Sequence, residues 1–174
     1  YKYAHLLKVP VPKEKYNLTF GKVIHNTLYH FLLPILQGDN NLQSSLFSEN
    51  KKSEELLSEK RVLELFQKFW QDEGYESKLE RDNYYSKGKD ILINFCKKLL
   101  SNKLPQVYFL EKDLRYKFNG NTIIGRIDRI DKLENGNFEI IDYKTGNAKE
   151  SLSTEDKRQL LLYKIMIENV LELK

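Results

Sequence analysis

Cysteine is almost absent: the 174 residues contain one, Cys96. A single thiol excludes a disulfide framework and any metal cluster held by this chain's cysteines alone. Its setting, Ile91-Leu92-Ile93-Asn94-Phe95-Cys96, is apolar and favours packing over reactivity. Long hydrophobic runs are missing as well. Stretches such as Leu160-Leu161-Leu162 are far too short to span a bilayer, and the N-terminus has no charged-then-apolar leader, which predicts an intracellular, cytoplasmic protein with no membrane partner. No Ser-His or cysteine nucleophile arrangement stands out, so covalent hydrolysis has little support. Nor does one sign of charge dominate. Lys plus Arg outnumber Asp plus Glu by 29 to 25, a balance compatible with binding phosphate but also common in soluble domains.

What is present is an ordinary globular composition, 40% hydrophobic and 31% charged, which suits a single domain over residues 1–174. The chain starts at Tyr1 without an initiator Met and stops at Lys174 within a helical pattern, as expected of a fragment of something longer. Residues 1–104 read as mainly helical. Apolar side chains recur at helical spacing from Phe20 to Leu32, with Thr19 as the expected N-cap and Pro34 as the expected end. Gly38 to Ser58 is a polar connection. Helical faces return at Glu59–Trp70 and Tyr84–Leu100.

Pro105 marks a change to period two. Within residues 105–174, Val107–Phe118 and Thr122–Leu133 read as strands joined by a tight turn at Asn119-Gly120-Asn121, and a second turn at Glu134-Asn135-Gly136-Asn137 leads to a strand over Phe138–Lys144. Ser153 or Thr154 can cap a last helix through Gln159, Leu160, Tyr163 and Ile167. The fold class expected is α/β (α+β), an antiparallel three-stranded meander flanked by helices.

Strand alternation in Ile140-Ile141-Asp142-Tyr143-Lys144 places Asp142 and Lys144 on one face and Tyr143 on the other. One strand earlier, Gly125-Arg126-Ile127-Asp128-Arg129-Ile130-Asp131 sets Asp128 among apolar neighbours, where a carboxylate needs a partner. If the strands pair, Asp128 and Asp142 sit side by side and favour a divalent cation, beside which Lys144 would orient or deprotonate a water. That is a hydrolytic arrangement for a phosphodiester. Arg126 shares the face of Asp128 and can reach phosphate, whereas Arg129 points away and is expected to pack or pair. Asp-x-Lys alone is a weak signal that chance produces often. Its company is what gives it weight: a following helix carries Gln159 and Tyr163 at i and i+4, which share a face.

These pieces, namely Gly21-x-x-x-His25, Gly125-Arg126-Ile127-Asp128-Arg129, Ile141-Asp142-Tyr143-Lys144-Thr145-Gly146 and Gln159-x-x-x-Tyr163, resemble the RecB-type nucleases of the PD-(D/E)xK superfamily, found in helicase-nucleases such as RecB and AddB and in CRISPR-associated exonucleases. The resemblance implies a restriction-endonuclease-like core and a Mg²⁺- or Mn²⁺-dependent deoxyribonuclease working with helicase domains in recombination or repair, on DNA that is expected to be single-stranded. It implies His25, Asp128, Asp142 and the main-chain carbonyl of Tyr143 as metal ligands, Lys144 as the catalytic lysine, and Gln159 and Tyr163 as active-site support. Glu111 matches an acidic position on the first core strand, with ligand and ion-pair readings both open. His5 and His30 read as ordinary histidines.

Trp70, Tyr75, Tyr84 and Tyr85 could stack on bases, although core packing suits Trp70 better. The chain departs from relatives that hold an iron–sulfur cluster through four cysteines, so no cluster is expected. It also leaves no room for the superfamily's strand after the Gln/Tyr helix. A non-catalytic DNA-binding or scaffolding module keeping the fold is the alternative, which intact Asp128, Asp142 and Lys144 argue against.

Overall fold

The computed structural model describes residues 16–37, 56–146, 151–171 and 173. The N-terminal stretch containing His5 and most of the polar connection after Gly38 lie outside the described residues. Among the described residues four α-helices and a three-stranded sheet follow in order: α1 (Tyr16–Gln37), α2 (Glu59–Phe69), α3 (Lys78–Leu100), β1 (Gln106–Phe118), β2 (Asn121–Lys132), β3 (Phe138–Ile141) and α4 (Thr154–Met166), the last continuing into a wider π turn at Ile167–Leu171. The sheet is antiparallel in the order β1-β2-β3. This is the α/β, restriction-endonuclease-like architecture expected from the sequence, a meander flanked by helices.

Helix α1 corrects two expectations. It begins at Tyr16, so Thr19 is a buried interior residue rather than a cap. It also runs through Pro34 to Gln37. A proline four residues from a helix end costs one ladder hydrogen bond, and the buried stripe of Phe20, Val23, Ile24, Leu28, Phe31 and Leu32 outweighs that loss. Helix α3 starts six residues before its apolar pattern does, because Ser77 caps it by accepting from the N–H of Glu80 at 3.1 Å. Ser58 does the same for α2. At α4, Ser153 and Asp156 form a reciprocal capping box.

The β1–β2 hairpin closes on Asn119 and Gly120, both with positive φ, the backbone that a two-residue turn between twisted strands requires. Strand β3 is shorter than its sequence pattern. It ends at Ile141, so Asp142, Tyr143 and Lys144 leave the ladder. The cause is competition for Tyr143: its N–H goes to the Asp128 carboxylate and its carbonyl to His25.

Two cores result. The larger joins α1, α2 and α3 to Val107 and Leu110 of β1 and buries Cys96, as expected. The smaller joins Leu114, Ile127 and Ile130 to Tyr163, Met166 and Ile167. Leu110 and Leu114 would share a face in a regular strand, yet they serve different cores. Between them Glu111 adopts φ +46°, and the strand exchanges its faces there. Among the described residues no helix is long and apolar enough to cross a membrane.

Candidate active site

The site is assembled where α1, the Glu111 kink and the end of β3 meet. His25 projects from α1 with its Nδ1 3.3 Å from Asp128 Oδ1 and 3.7 Å from Glu111 Oε1. Its Nε2 donates to the carbonyl of Tyr143 at 3.0 Å. One ligand atom from each of His25, Glu111 and Asp128 lies within 4.8 Å of the other two. Bringing Glu111 into this group requires its left-handed backbone, a conformation costing a residue with a Cβ about 1–2 kcal/mol. Strain retained at one acidic position in a strand is a feature of functional sites rather than of plain ladders.

Asp128 is 8% exposed and accepts the Tyr143 N–H at 2.7 Å through its second oxygen, so the buried carboxylate has the partners that its sequence setting demanded. Hydrogen bonds to Asp128 and then Glu111 raise the His25 pKa from 6.5 to about 10, against the opposing effect of burial. The imidazolium thereby stands in for a cation between two carboxylates.

Asp142 is not one of these three. Its Oδ2 lies 2.8 Å from Lys144 Nζ, and its Oδ1 accepts from Gln159 Nε2 at 3.3 Å. Lys144 donates to Gln159 Oε1 at 3.0 Å. Partial burial disfavours the ammonium of Lys144, but the hydrogen bond and charge of Asp142 outweigh it, and the pKa lies above the ordinary lysine value. Gln159 Nε2 also donates to the Tyr163 hydroxyl at 2.8 Å, and that hydroxyl donates to the carbonyl of Arg126 at 2.8 Å. Gln159 and Tyr163 thus share the α4 face expected of them. Gly125 permits the approach: a Cβ there would lie 3.2 Å from Tyr163 Cε1 and 3.4 Å from Met166 Sδ.

Gly21 has a milder role than close backbone approach. A Cβ at Gly21 would come no nearer than 3.7 Å to Thr145 Oγ1, ordinary contact with the loop after Lys144. Arg126 is exposed and forks onto Asp113 at 2.7 and 3.0 Å, with Glu111 3.9 Å away. Trp70, Tyr84 and Tyr85 pack against the larger core. Tyr75 stacks on Trp70 with ring centroids 5.6 Å apart, so these rings mainly contact one another.

Arg129 pairs behind Tyr143, as expected of it, but sequence reasoning did not name Asp131 as the partner. Arg129 and Asp131 are 6% and 4% exposed and form a forked ion pair with Nε–Oδ1 at 2.7 Å. Arg129 Nη1 also reaches the Tyr143 hydroxyl at 3.4 Å. The available signal was the i, i+2 spacing of opposite charges in an otherwise apolar strand. Tyr143 therefore has its hydroxyl near Arg129, its ring edge-to-face with His25 and Phe95, and both main-chain groups on the His25–Asp128 pair.

Two carboxylates and an imidazole beside a main-chain carbonyl suit a divalent cation, since carboxylates and carbonyls attract hard ions and imidazole extends the range to manganese and its neighbours. The imidazolium now compensating the carboxylates marks where such positive charge would be accepted. No curated protein and no solved structure was found to match the chain. The model of the PD-(D/E)XK nuclease superfamily matches residues 1–174, and the chain belongs to this superfamily of metal-dependent nucleases.

Proposed function

We propose that this protein is a Mg²⁺- or Mn²⁺-dependent deoxyribonuclease of the RecB-like type, acting as an exonuclease on single-stranded DNA ends within a helicase-nuclease of recombination or repair. The observation that carries the reading is the convergence of His25, Glu111 and Asp128 within 4.8 Å, next to an Asp142–Lys144 pair at 2.8 Å. Support for the subtype comes from the Gly21/His25, Asp128, Asp142/Lys144 and Gln159/Tyr163 set. DNA as substrate agrees with the family, while strand preference and helicase association rest on the sequence resemblance.

His25, Glu111 and Asp128 would hold the ion, with Asp142 and the Tyr143 carbonyl as further oxygen donors. A bound divalent ion supplies Lewis acidity for the phosphoryl group and for the attacking water. Lys144 presents an ammonium that orients water and offsets the negative charge gathering on the phosphate. Gln159 holds Lys144 and Asp142 in register, and Tyr163 fixes Gln159. Degradation of end-labelled single-stranded DNA by the purified protein with Mn²⁺ tests the reading. Lys144→Ala and Asp142→Ala should each lower kcat by roughly 10²–10⁴-fold. Undiminished cleavage by either variant sinks the assignment. DNA binding without any cleavage by the wild type would instead favour a non-catalytic module.

A further inference from the structure

The β1–β2 hairpin outgrows the sheet, and its outer half has a charge balance unlike the rest of the chain. Residues 112–126 carry four cations, Lys112, Arg115, Lys117 and Arg126, against the single carboxylate of Asp113, a surplus of three in a chain whose whole surplus is four. Arg126 is occupied by Asp113. Arg115 and Lys117 are exposed and make no ion pair among the described residues.

Register decides which way these cations face. Leu114 packs in the smaller core, with Tyr116 and Ile123 against it. The alternating pairs Asp113↔Arg126, Arg115↔Ile124 and Lys117↔Thr122 consequently lie on the opposite face of the hairpin. That face leads directly into the site, since Arg126 lies 3.9 Å from Glu111. Ile124 on it is 64% exposed and Phe118 at the tip is 54% exposed, so the ribbon offers apolar contact beside its charge.

We propose that this hairpin face is the track for the DNA strand flanking the scissile phosphate, with Arg115 and Lys117 binding its backbone outward from the His25–Glu111–Asp128 cluster. The inference deepens the proposed nuclease function and rests on it for the identity of the polyanion. A protein surface is a poorer fit, because two exposed cations without an ion pair, one strand repeat apart on a narrow ribbon, match successive phosphates of a backbone. Six residues of strand separate Lys117 from Glu111, about 20 Å. At roughly 3.4 Å per nucleotide the track reaches about six nucleotides from the cut.

The test compares wild type with Arg115→Ala/Lys117→Ala and with a control of equal charge change on α3, Lys97→Ala/Lys98→Ala. Binding of a labelled 20-nucleotide single strand is read by fluorescence anisotropy in chelator across a salt series, and cleavage is read separately with Mn²⁺. The hairpin variant should bind roughly tenfold more weakly, with the log–log salt slope reduced by about 1.4, the single-strand value for two phosphate contacts. Its KM should rise while kcat is kept, and its deficit should shrink on oligonucleotides shorter than about six nucleotides and vanish below about four, the reach of Arg115. An unchanged salt slope, or an equal loss in the control, overturns the proposal. If the wild type binds through the hairpin but never cleaves, the nuclease reading fails and the track stands. If it cleaves and the hairpin variant is indistinguishable, the track fails alone.

Discussion

Tyr143 organises the site through its backbone and is itself held from behind. Its N–H fixes one oxygen of Asp128, its carbonyl fixes the His25 ring, and its hydroxyl lies near a buried guanidinium that already belongs to Asp131. These three attachments differ in cost. Tyr143→Phe removes one long contact and leaves both main-chain bonds, so the loss of stability should be about 1 kcal/mol or less. Arg129→Met strands the Asp131 carboxylate in the interior and should cost about 3–5 kcal/mol. Urea midpoints of the two variants check this ordering, and equal losses would mean that the hydroxyl, not the ion pair, anchors the segment. At this scale much was legible. Asp128 was identifiable as a carboxylate in need of a partner, and Gln159 and Tyr163 as one helix face. The conformation of Glu111 was not legible, because glutamate has no local preference for positive φ and only tertiary contacts hold it there. The meeting of Asp142 with Lys144 was legible from strand alternation, but not that Asp142 would lie outside the His25–Glu111–Asp128 group.

Among the elements, the helices were readable because burial follows their periodicity, and the start of α4 because its serine cap is local, whereas the starts of α1 and α3 precede their apolar patterns and were read too late. The errors have a common physical origin: a contact from elsewhere in the chain outbid a local rule. Burial of Phe31 and Leu32 carried α1 past Pro34, and side-chain partners for Tyr143 ended β3 early. Helix packing offers a direct test of the same competition. Gly88 lies inside α3, where alanine would ordinarily gain about 1 kcal/mol in helix propensity. A Cβ at that position would lie 2.5 Å from Phe66 Cζ and 3.2 Å from Phe20 Cε2. The clash involves rings at the centre of the larger core, so Gly88→Ala should lose a net 1–3 kcal/mol, roughly, as overpacked cores do. A thermal midpoint equal to or above that of the wild type would show that α2 and α3 are spaced more widely than described.

For the whole molecule, stability and ion binding are linked through His25. Its pKa is raised from 6.5 to about 10, so without metal the imidazolium contributes stability that is complete below pH 6.5 and lost as pH climbs toward 10. An ion bound to the ring must displace that proton. The rise in Tm caused by Mn²⁺ should therefore grow with pH between about 6.5 and about 8.5, reaching the equivalent of about 2.7 kcal/mol at a hundredfold excess over Kd. Differential scanning calorimetry at the two pH values measures it, and a pH-independent gain would exclude the imidazole as a ligand. The hydrogen bond from His25 to Tyr143 closes a span of 118 residues, and this limits how the chain can be divided. Cleavage in any loop between those positions leaves the imidazole on one piece and the Tyr143 carbonyl on the other, so neither piece keeps the complete set of groups. Two such pieces would recover it only by reassociating through the larger core, which makes return of ion binding a readout for complementation between separately produced halves.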